Sequence, residues 1–143
     1  MKIKFDSSRC TGCQACQMAC LDQNDIRTAE GQKPLCKITF HEMEDRVQMQ
    51  FQHCIHCGKC VSVCPTGCLS ILDNLVLADD TLCIGCHACE TVCPMDVISF
   101  HPHIQTVQKC DGCIGRVRNS LLPACVHTCP TGALSCESGK DIG

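Results

Sequence analysis

The sequence has few of the large side chains from which small proteins usually build a core. Its 143 residues include four Phe and neither Trp nor Tyr. A conventional core is therefore not expected, because the aromatic side chains that bury the most apolar area are nearly missing. The length allows one domain or two small ones. Another component must fill part of the interior.

Several classes of function have no signature in the sequence. The net charge is −3 and no basic tract is present, so nucleic acid binding has no electrostatic footprint. No Ser/His/Asp arrangement, phosphate-binding loop or flavin fingerprint supports catalysis. The start of the chain lacks a secretory or twin-arginine signal, and no apolar run approaches the roughly 20 residues of a membrane span. We therefore expect a cytoplasmic protein without direct membrane insertion.

The residue in excess is cysteine, with 19 copies in the chain. Disulfides would be one explanation, but the odd number, the missing secretory signal and the spacing argue against them. The clearest spacing runs from Cys83 to Pro94 and has the form C-x2-C-x2-C-x3-C-P. This is the bacterial ferredoxin pattern for a [4Fe–4S] cluster, whose irons are held by soft thiolates. The run therefore predicts an iron–sulfur site.

Versions of this run occur four times, which makes it a repeat. The groups are Cys10, Cys13, Cys16 and Cys20; Cys54, Cys57, Cys60 and Cys64; Cys83, Cys86, Cys89 and Cys93; and Cys110, Cys113, Cys125 and Cys129. Sixteen of the 19 cysteines thus supply four ligands to each of four [4Fe–4S] clusters. Zinc would instead favour C-x2-C pairs separated by a longer loop, without the closely following third cysteine of the first three groups.

The four groups are expected to exchange ligands in pairs. In two-cluster ferredoxins the fourth cysteine of each run ligates the other cluster. The second and third groups are adjacent and regular, which leaves the first and fourth as the other pair. The predicted ligand sets are Cys54, Cys57, Cys60 and Cys93; Cys83, Cys86, Cys89 and Cys64; Cys10, Cys13, Cys16 and Cys129; and Cys110, Cys113, Cys125 and Cys20.

This pairing predicts an α+β fold of two interleaved bacterial-ferredoxin-like modules, loop-rich, with short helices and β-hairpins. The inserted module comprises residues 54–107, and the outer module comprises residues 1–53 and 108–143. Short helices are expected between the third and fourth cysteines of a group, as at 90–92. Hairpins are expected between 69–72 and 75–78, between 97–100 and 104–107, and between 37–40 and 47–51.

Three cysteines lie outside the groups: Cys36, Cys68 and Cys136. The repeat alignment places Cys68 and Cys136 at positions where the other repeats have apolar residues. Because free cysteine behaves as a small hydrophobe, we interpret these residues as packed side chains rather than cluster ligands. Cys36 begins a predicted strand and is given the same interpretation on less support.

Other polar residues lie beside the cysteine groups. No group lacks a cysteine, so we interpret the neighbouring histidines as packing against or solvating a cluster rather than as Rieske-type ligands. They are His53, His56, His87 and His127. Around the fourth group lie Lys109, Arg116 and Arg118. They form either a solvated loop or a functional positive charge, which would face a partner or offset the negative charge of the clusters, and the sequence leaves these possibilities open.

The chain resembles the four-cluster electron-transfer subunit of the dimethyl sulfoxide reductase family of molybdenum and tungsten enzymes. The resemblance extends from residues 6–13 to residues 131–134. Its most diagnostic part is the stretched fourth group, with Lys109-Cys110-Asp111-Gly112-Cys113 followed by Arg116 and Pro123-Ala124-Cys125. In some members of that family the second cysteine of the third group is replaced, and the cluster there has three irons. In this sequence that position is Cys86, so the resemblance implies four cubane clusters.

The resemblance implies a non-catalytic relay of single electrons through the groups in the order one, four, two, three, or the reverse. One partner would be a catalytic subunit: a molybdopterin or tungstopterin enzyme such as formate dehydrogenase or aldehyde oxidoreductase, a CO dehydrogenase, or a hydrogenase. The other would be a second redox partner or ferredoxin. The short spacers and the short stretch after the fourth group favour a soluble complex. A freely diffusing polyferredoxin and a redox sensor are the alternatives.

Overall fold

The computed structural model describes residues 2–137. The helices among them are α1 Ala15–Gln23, α2 Lys59–Val63, α3 Ala88–Val92, α4 Ile114–Val117 and α5 Ala124–Thr128. The strands are β1 Lys2–Phe5, β2 Lys37–Glu42, β3 Val47–Gln52, β4 Leu69–Leu72, β5 Leu75–Ala78, β6 Ser99–Phe100, β7 Val107–Gln108 and β8 Leu134–Glu137. Short 3₁₀ helices lie at Thr28–Glu30 and Asp80–Leu82. These elements agree with a ferredoxin-like α+β fold.

The strands form four antiparallel pairs, β1–β8, β2–β3, β4–β5 and β6–β7. The predicted hairpin β4–β5 is confirmed, and its turn residues Asp73 and Asn74 both have positive φ, at 54° and 62°. Two such residues are typical of the type I′ turns that match the twist of a two-residue hairpin. The predicted β2–β3 hairpin is also confirmed and extends by two residues to Glu42 on its first strand.

The hairpin predicted between 97–100 and 104–107 is shorter than expected. Only Ser99 and Phe100 pair, with Gln108 and Val107. Gln105 has a left-handed φ of 56° and donates its backbone N–H to the His101 carbonyl, so the chain curls into a compact turn before pairing begins. Val97 and Ile98, which directly precede β6, are buried. The apolar run that predicted a longer strand is therefore explained by packing.

The buried apolar residues form two clusters. The outer core contains Cys16, Cys20, Leu35, Cys36, Ile38, Phe51, Cys125, Val126 and Leu134. The inner core contains Cys60, Cys68, Leu69, Val76, Cys89, Ile98 and Val107. Helix α1 packs on α5, and α2 packs on α3. Cysteine supplies much of both cores, as expected for a chain with so few large side chains.

The strand pair β1–β8 joins the two ends of the described chain. Ile3 lies opposite Cys136 and Phe5 lies opposite Leu134. Leu134 is in the outer core, and Ile3 and Phe5 pack against it. The outer core is therefore assembled from residues more than a hundred positions apart. Within residues 2–137, none of the helices has the length and apolarity needed to cross a bilayer.

Candidate metal centres

Three cavities bring together cysteines from different sequence groups. Cavity A is lined by Cys54, Cys57, Cys60 and Cys93. Cavity B is lined by Cys64, Cys83, Cys86 and Cys89, with Cys68 beside them. Cavity C is lined by Cys10, Cys13, Cys16 and Cys129. Each combines three cysteines of one group with the fourth cysteine of another.

The remaining set of predicted ligands lies at one edge of the outer core. Cys20 and Cys125 belong to that core, and Cys110 packs against it. Burial raises the pKa of Cys125 to about 12, with Cys113 and then Cys20 contributing further. Burial also raises the pKa of Cys113, to which the nearby Asp111 and Cys20 add. The thiols of Cys20, Cys113 and Cys125 are therefore neighbours.

The loops of the four groups share a backbone shape that the cysteine spacing did not reveal. In the first three, the residues before and after the second cysteine have positive φ; they are Gly12 and Gln14, His56 and Gly58, and Gly85 and His87. In the fourth, Gly112 and Cys113 have positive φ. Left-handed residues of this kind turn successive backbone N–H groups into one concavity, which favours a negatively charged group.

Backbone N–H groups already point at the first cysteine of each group. The N–H of Gly12 lies 3.4 Å from Cys10 Sγ, and that of His56 lies 3.4 Å from Cys54 Sγ. Gly112 donates to Cys110 Sγ at 3.3 Å. In the third group the donor is Val107, at 3.3 Å from Cys83 Sγ. Such hydrogen bonds favour the thiolate, which is the form that binds iron.

Two of the fourth cysteines, Cys64 and Cys129, differ electrostatically from the third cysteines. Burial alone would raise the pKa of Cys64, but the backbone N–H groups of Leu69 and Thr66 and the Thr66 hydroxyl lower it to about 7. Cys129, followed by the same Pro-Thr-Gly sequence, also has a lowered pKa. Burial raises the pKa of Cys16 and Cys89 to about 11. Metal binding requires deprotonation, so these buried thiols depend on iron to become thiolates.

Among the described residues, Lys109 is the one charged residue that is buried, with 8% of its surface exposed. Its Nζ donates to the Val76 carbonyl at 2.7 Å and to the Cys110 carbonyl, and its side chain lines cavity A. The solvated-loop interpretation is therefore wrong for Lys109. Arg116 donates Nε to the Leu122 carbonyl at 2.7 Å, whereas the exposed Arg118 lies 3.3 Å from Asp73. The only feature of the sequence that pointed to this position of Lys109 is that it directly precedes Cys110.

Two of the histidines beside the cysteines, His56 and His87, have protein partners. His56 accepts the Val76 N–H at 2.9 Å through Nδ1. Burial and, secondarily, Lys109 lower the pKa of His56 to about 4. The ring of His87 lies 3.8 Å from that of Phe100, centroid to centroid. Among the described residues, no three His, Cys, Asp or Glu side chains are close enough together to hold a single metal ion.

The donor atoms fit iron–sulfur clusters, because four cysteine sulfurs line each of the three cavities. Two family models, both described as 4Fe-4S dicluster domains, match residues 45–138 and residues 9–68. Together they cover all four cysteine groups. These matches confirm that the protein binds multiple [4Fe–4S] clusters, and its cysteines are sufficient for four.

Relatives of known name align with most of the sequence. The B subunit of anaerobic dimethyl sulfoxide reductase from Haemophilus influenzae is 35% identical over 91% of this chain and 70% of its own length. The subunit of the same name in Escherichia coli K12 is 33% identical, covering 91% of this chain and 69% of its own. The formate dehydrogenase-O iron-sulfur subunit of Escherichia coli K12 is 33% identical over 91% of this chain, which spans 50% of that subunit.

Both comparisons agree with the expectation raised by the cysteine spacing. The dicluster match at residues 45–138 includes the second, third and stretched fourth groups. The named relatives are subunits of dimethyl sulfoxide reductase and formate dehydrogenase. The chain belongs to the 4Fe-4S dicluster family that includes the iron–sulfur subunits of dimethyl sulfoxide reductase and formate dehydrogenase.

Proposed function

We propose that this protein is the electron-transfer subunit of an oxidoreductase complex and relays single electrons between a catalytic subunit and a second redox partner. The observation that carries the proposal is the set of three cavities in which four cysteines from two groups converge. A bound [4Fe–4S] cluster supplies reversible one-electron chemistry. The protein supplies the ligands, the burial and the hydrogen bonds that fix where each electron resides.

The ligand sets are the four crossed sets predicted from the spacing. Cavities A and B support the exchange of Cys93 and Cys64 between the second and third groups. Cavity C supports the placement of Cys129 with the first group. By the same exchange, Cys20 completes the fourth set. The separate outer and inner cores support a module of residues 54–107 inserted into one made of residues 1–53 and 108–143.

The electrostatic effects that thiols of different sets exert on one another support a linear relay. Cys16 of the first set adds to the burial that raises the pKa of Cys125 in the fourth. Cys60 of the second set likewise adds to the burial that raises the pKa of Cys89 in the third. Cys54 of the second set adds to the burial that raises the pKa of Cys110 in the fourth. The neighbour relations therefore run one, four, two, three.

The partner proposed for this relay is a catalytic subunit that carries a molybdenum or tungsten pterin, since the relatives belong to dimethyl sulfoxide reductase and formate dehydrogenase. A CO dehydrogenase or a hydrogenase would be an alternative catalytic partner. A second redox protein or ferredoxin would bind the other end. A reducing cytoplasmic location suits 19 cysteines used as ligands and packed thiols.

The test is anaerobic purification of the tagged protein from its own host. We expect about sixteen irons and about sixteen labile sulfides per molecule, the content of four [4Fe–4S] clusters. We also expect a large co-purifying subunit with a bound pterin. A protein that loads all its iron but purifies alone would favour a free polyferredoxin. A protein that contains zinc in place of iron would overturn the proposal.

A further inference from the structure

Lys109 occupies an unusual position for a charged side chain. It is 8% exposed and lies against Val76, which is 1% exposed. Moving an ammonium group out of water is costly unless nearby groups compensate for its charge. Two backbone carbonyls, those of Val76 and Cys110, accept hydrogen bonds from its Nζ. Carbonyl dipoles compensate for only part of a full charge, so a negative group nearby is required.

Among residues 2–137, no carboxylate forms an ion pair with Lys109. The groups that face it are instead the ligands of cavity A, namely Cys54, Cys57, Cys60 and Cys93. A [4Fe–4S] cluster with four thiolate ligands carries a net negative charge, which increases by one on reduction. The cluster in cavity A would therefore be the counter-charge of Lys109.

Lys109 also contacts the fourth set. It directly precedes Cys110 in the sequence, and its Nζ donates to the Cys110 carbonyl. Its positive charge opposes the effect of burial on the pKa of both Cys60 and Cys110, which belong to the two neighbouring sets. One buried cation therefore lies between the two inner members of the proposed relay.

The surrounding contacts hold this cation in place. The N–H of Val76 donates to His56 Nδ1 at 2.9 Å, while the carbonyl of the same residue accepts from Lys109 Nζ at 2.7 Å. One peptide segment of the inner core thus fixes both side chains that border cavity A. His56 uses Nδ1 as an acceptor, so this nitrogen carries no proton. Lys109 is then the cation that these contacts direct into the cavity.

We propose that Lys109 sets the potentials of the two central clusters, those held by the Cys54 and Cys110 sets, and keeps both easier to reduce than they would otherwise be. The proposal rests on the proposed relay function. A fixed positive charge stabilises the reduced, more negative cluster, and low exposure keeps water from screening it. Reduced central clusters would give a continuous path between the two outer ones.

The variant Lys109→Met tests this inference because methionine is similar in length and uncharged. We expect unchanged iron and sulfide content and a lower midpoint potential for two of the four clusters in an EPR-monitored redox titration. Cys57→Ser and Cys113→Ser, which alter one ligand each, assign those two signals. The matched control is Lys59→Met, since Lys59 also borders cavity A but is exposed. Its removal should shift the potentials less.

Further variants separate the electrostatic role from a structural one. Lys109→Arg keeps the charge and should keep both potentials close to wild type. Lys109→Gln can still donate to a carbonyl and should reproduce the lower potentials of Lys109→Met. Unchanged potentials in a fully loaded neutral variant would overturn the inference, and so would loss of iron in both neutral variants. A wild-type protein without clusters would instead overturn the proposed function itself.

Discussion

The thiol of Cys36 lies against the thiol of Cys20 inside the outer core. This contact is the largest cause of the lowered pKa of Cys20 and of the raised pKa of Cys36. Cys36 is therefore placed to donate its thiol proton to the sulfur of a predicted cluster ligand. Its burial, with 4% of its surface exposed, agrees with the packing interpretation. The contact with Cys20 adds a role that packing alone does not describe.

Replacing Cys36 by Ala should lower the midpoint potential of the cluster that Cys20 ligates. Hydrogen bonds to ligand sulfurs stabilise the reduced cluster, so losing one favours the oxidised form. The iron content should stay at about sixteen per molecule, because the four sets are complete without Cys36. Redox titration followed by EPR measures the shift, and Cys136→Ala, outside this contact, is the control. A loss of about four irons, the content of one [4Fe–4S] cluster, would make Cys36 a ligand.

Cys68 gives the corresponding prediction for cavity B. It is buried beside the four predicted ligands, and burial raises its pKa to about 12, with Cys83 adding to the effect. We expect Cys68→Ala to retain all four cluster signals, because Cys64, Cys83, Cys86 and Cys89 remain. Iron analysis and EPR provide the measurement. Disappearance of the cluster in cavity B would refute the packing role.

Replacing Cys93 by Ser tests the crossed ligand sets. Cys93 lines cavity A, although it closes the sequence run that begins at Cys83. We expect the variant to damage the cluster of Cys54, Cys57 and Cys60 and to leave the cluster of the third group in place. Comparison with Cys57→Ser and Cys86→Ser identifies which signal changes. Damage confined to the signal altered by Cys86→Ser would show that each run serves its own cluster.

Gly85 and Gly67 form a matched pair for testing the cysteine loops. Both have left-handed φ, at 69° and 70°. Alanine in this conformation costs about 1–2 kcal/mol at either site. A Cβ at Gly85 would also lie 2.8 Å from the backbone oxygen of Gln105, whereas a Cβ at Gly67 would meet nothing within 4 Å. This clash adds about 1–3 kcal/mol, as overpacking does elsewhere.

We therefore expect Gly85→Ala to lower the guanidinium concentration at which the visible cluster absorbance is lost by clearly more than Gly67→Ala does. The measurement compares the two variants under the same anaerobic conditions. Equal sensitivity of the two variants would mean that the turn at Gln105 moves aside without cost. In that case the loop around Cys83 and Cys86 would not be held as rigidly as its contacts indicate.

Removing the iron should unfold the protein. The largest fully buried side chains among the described residues are only Val76 and Pro123, and many core positions are cysteines. When clusters fill the interior, their binding free energy becomes folding free energy. We expect chelation under reducing conditions to abolish the dispersion of the NMR spectrum and to flatten the far-UV circular dichroism. A stripped protein that keeps native dispersion would show that the protein cores are sufficient by themselves.

The parts of the site that the sequence predicted are those fixed by short spacing. Cysteines separated by two or three intervening residues identify a cluster loop, and Asp73-Asn74 between two apolar runs identifies a hairpin. The hairpin after Asp96 was predicted too long because Val97 and Ile98 are apolar for reasons of core packing. Local pattern alone does not distinguish a buried loop residue from a strand residue.

The functional contacts that the sequence did not predict are long-range. Lys109 meets Val76 across 33 positions of the sequence. Cys36 meets Cys20 through the packing of β2 beside α1. Neither contact has a local motif, because a lysine or a single cysteine is compatible with many environments. Burial and hydrogen-bond partners, which depend on the folded protein, are needed to identify them.

The pairing of β1 with β8 has a consequence for how the protein is made. Residues 2–5 leave the ribosome well before residues 134–137, with which they pair. The inner core, drawn from residues 60–107, has all its components available earlier. Contacts between distant residues form slowly because a long loop must first close. We expect the clusters of cavities A and B to be inserted into the nascent polypeptide first, and the outer pair to be completed last.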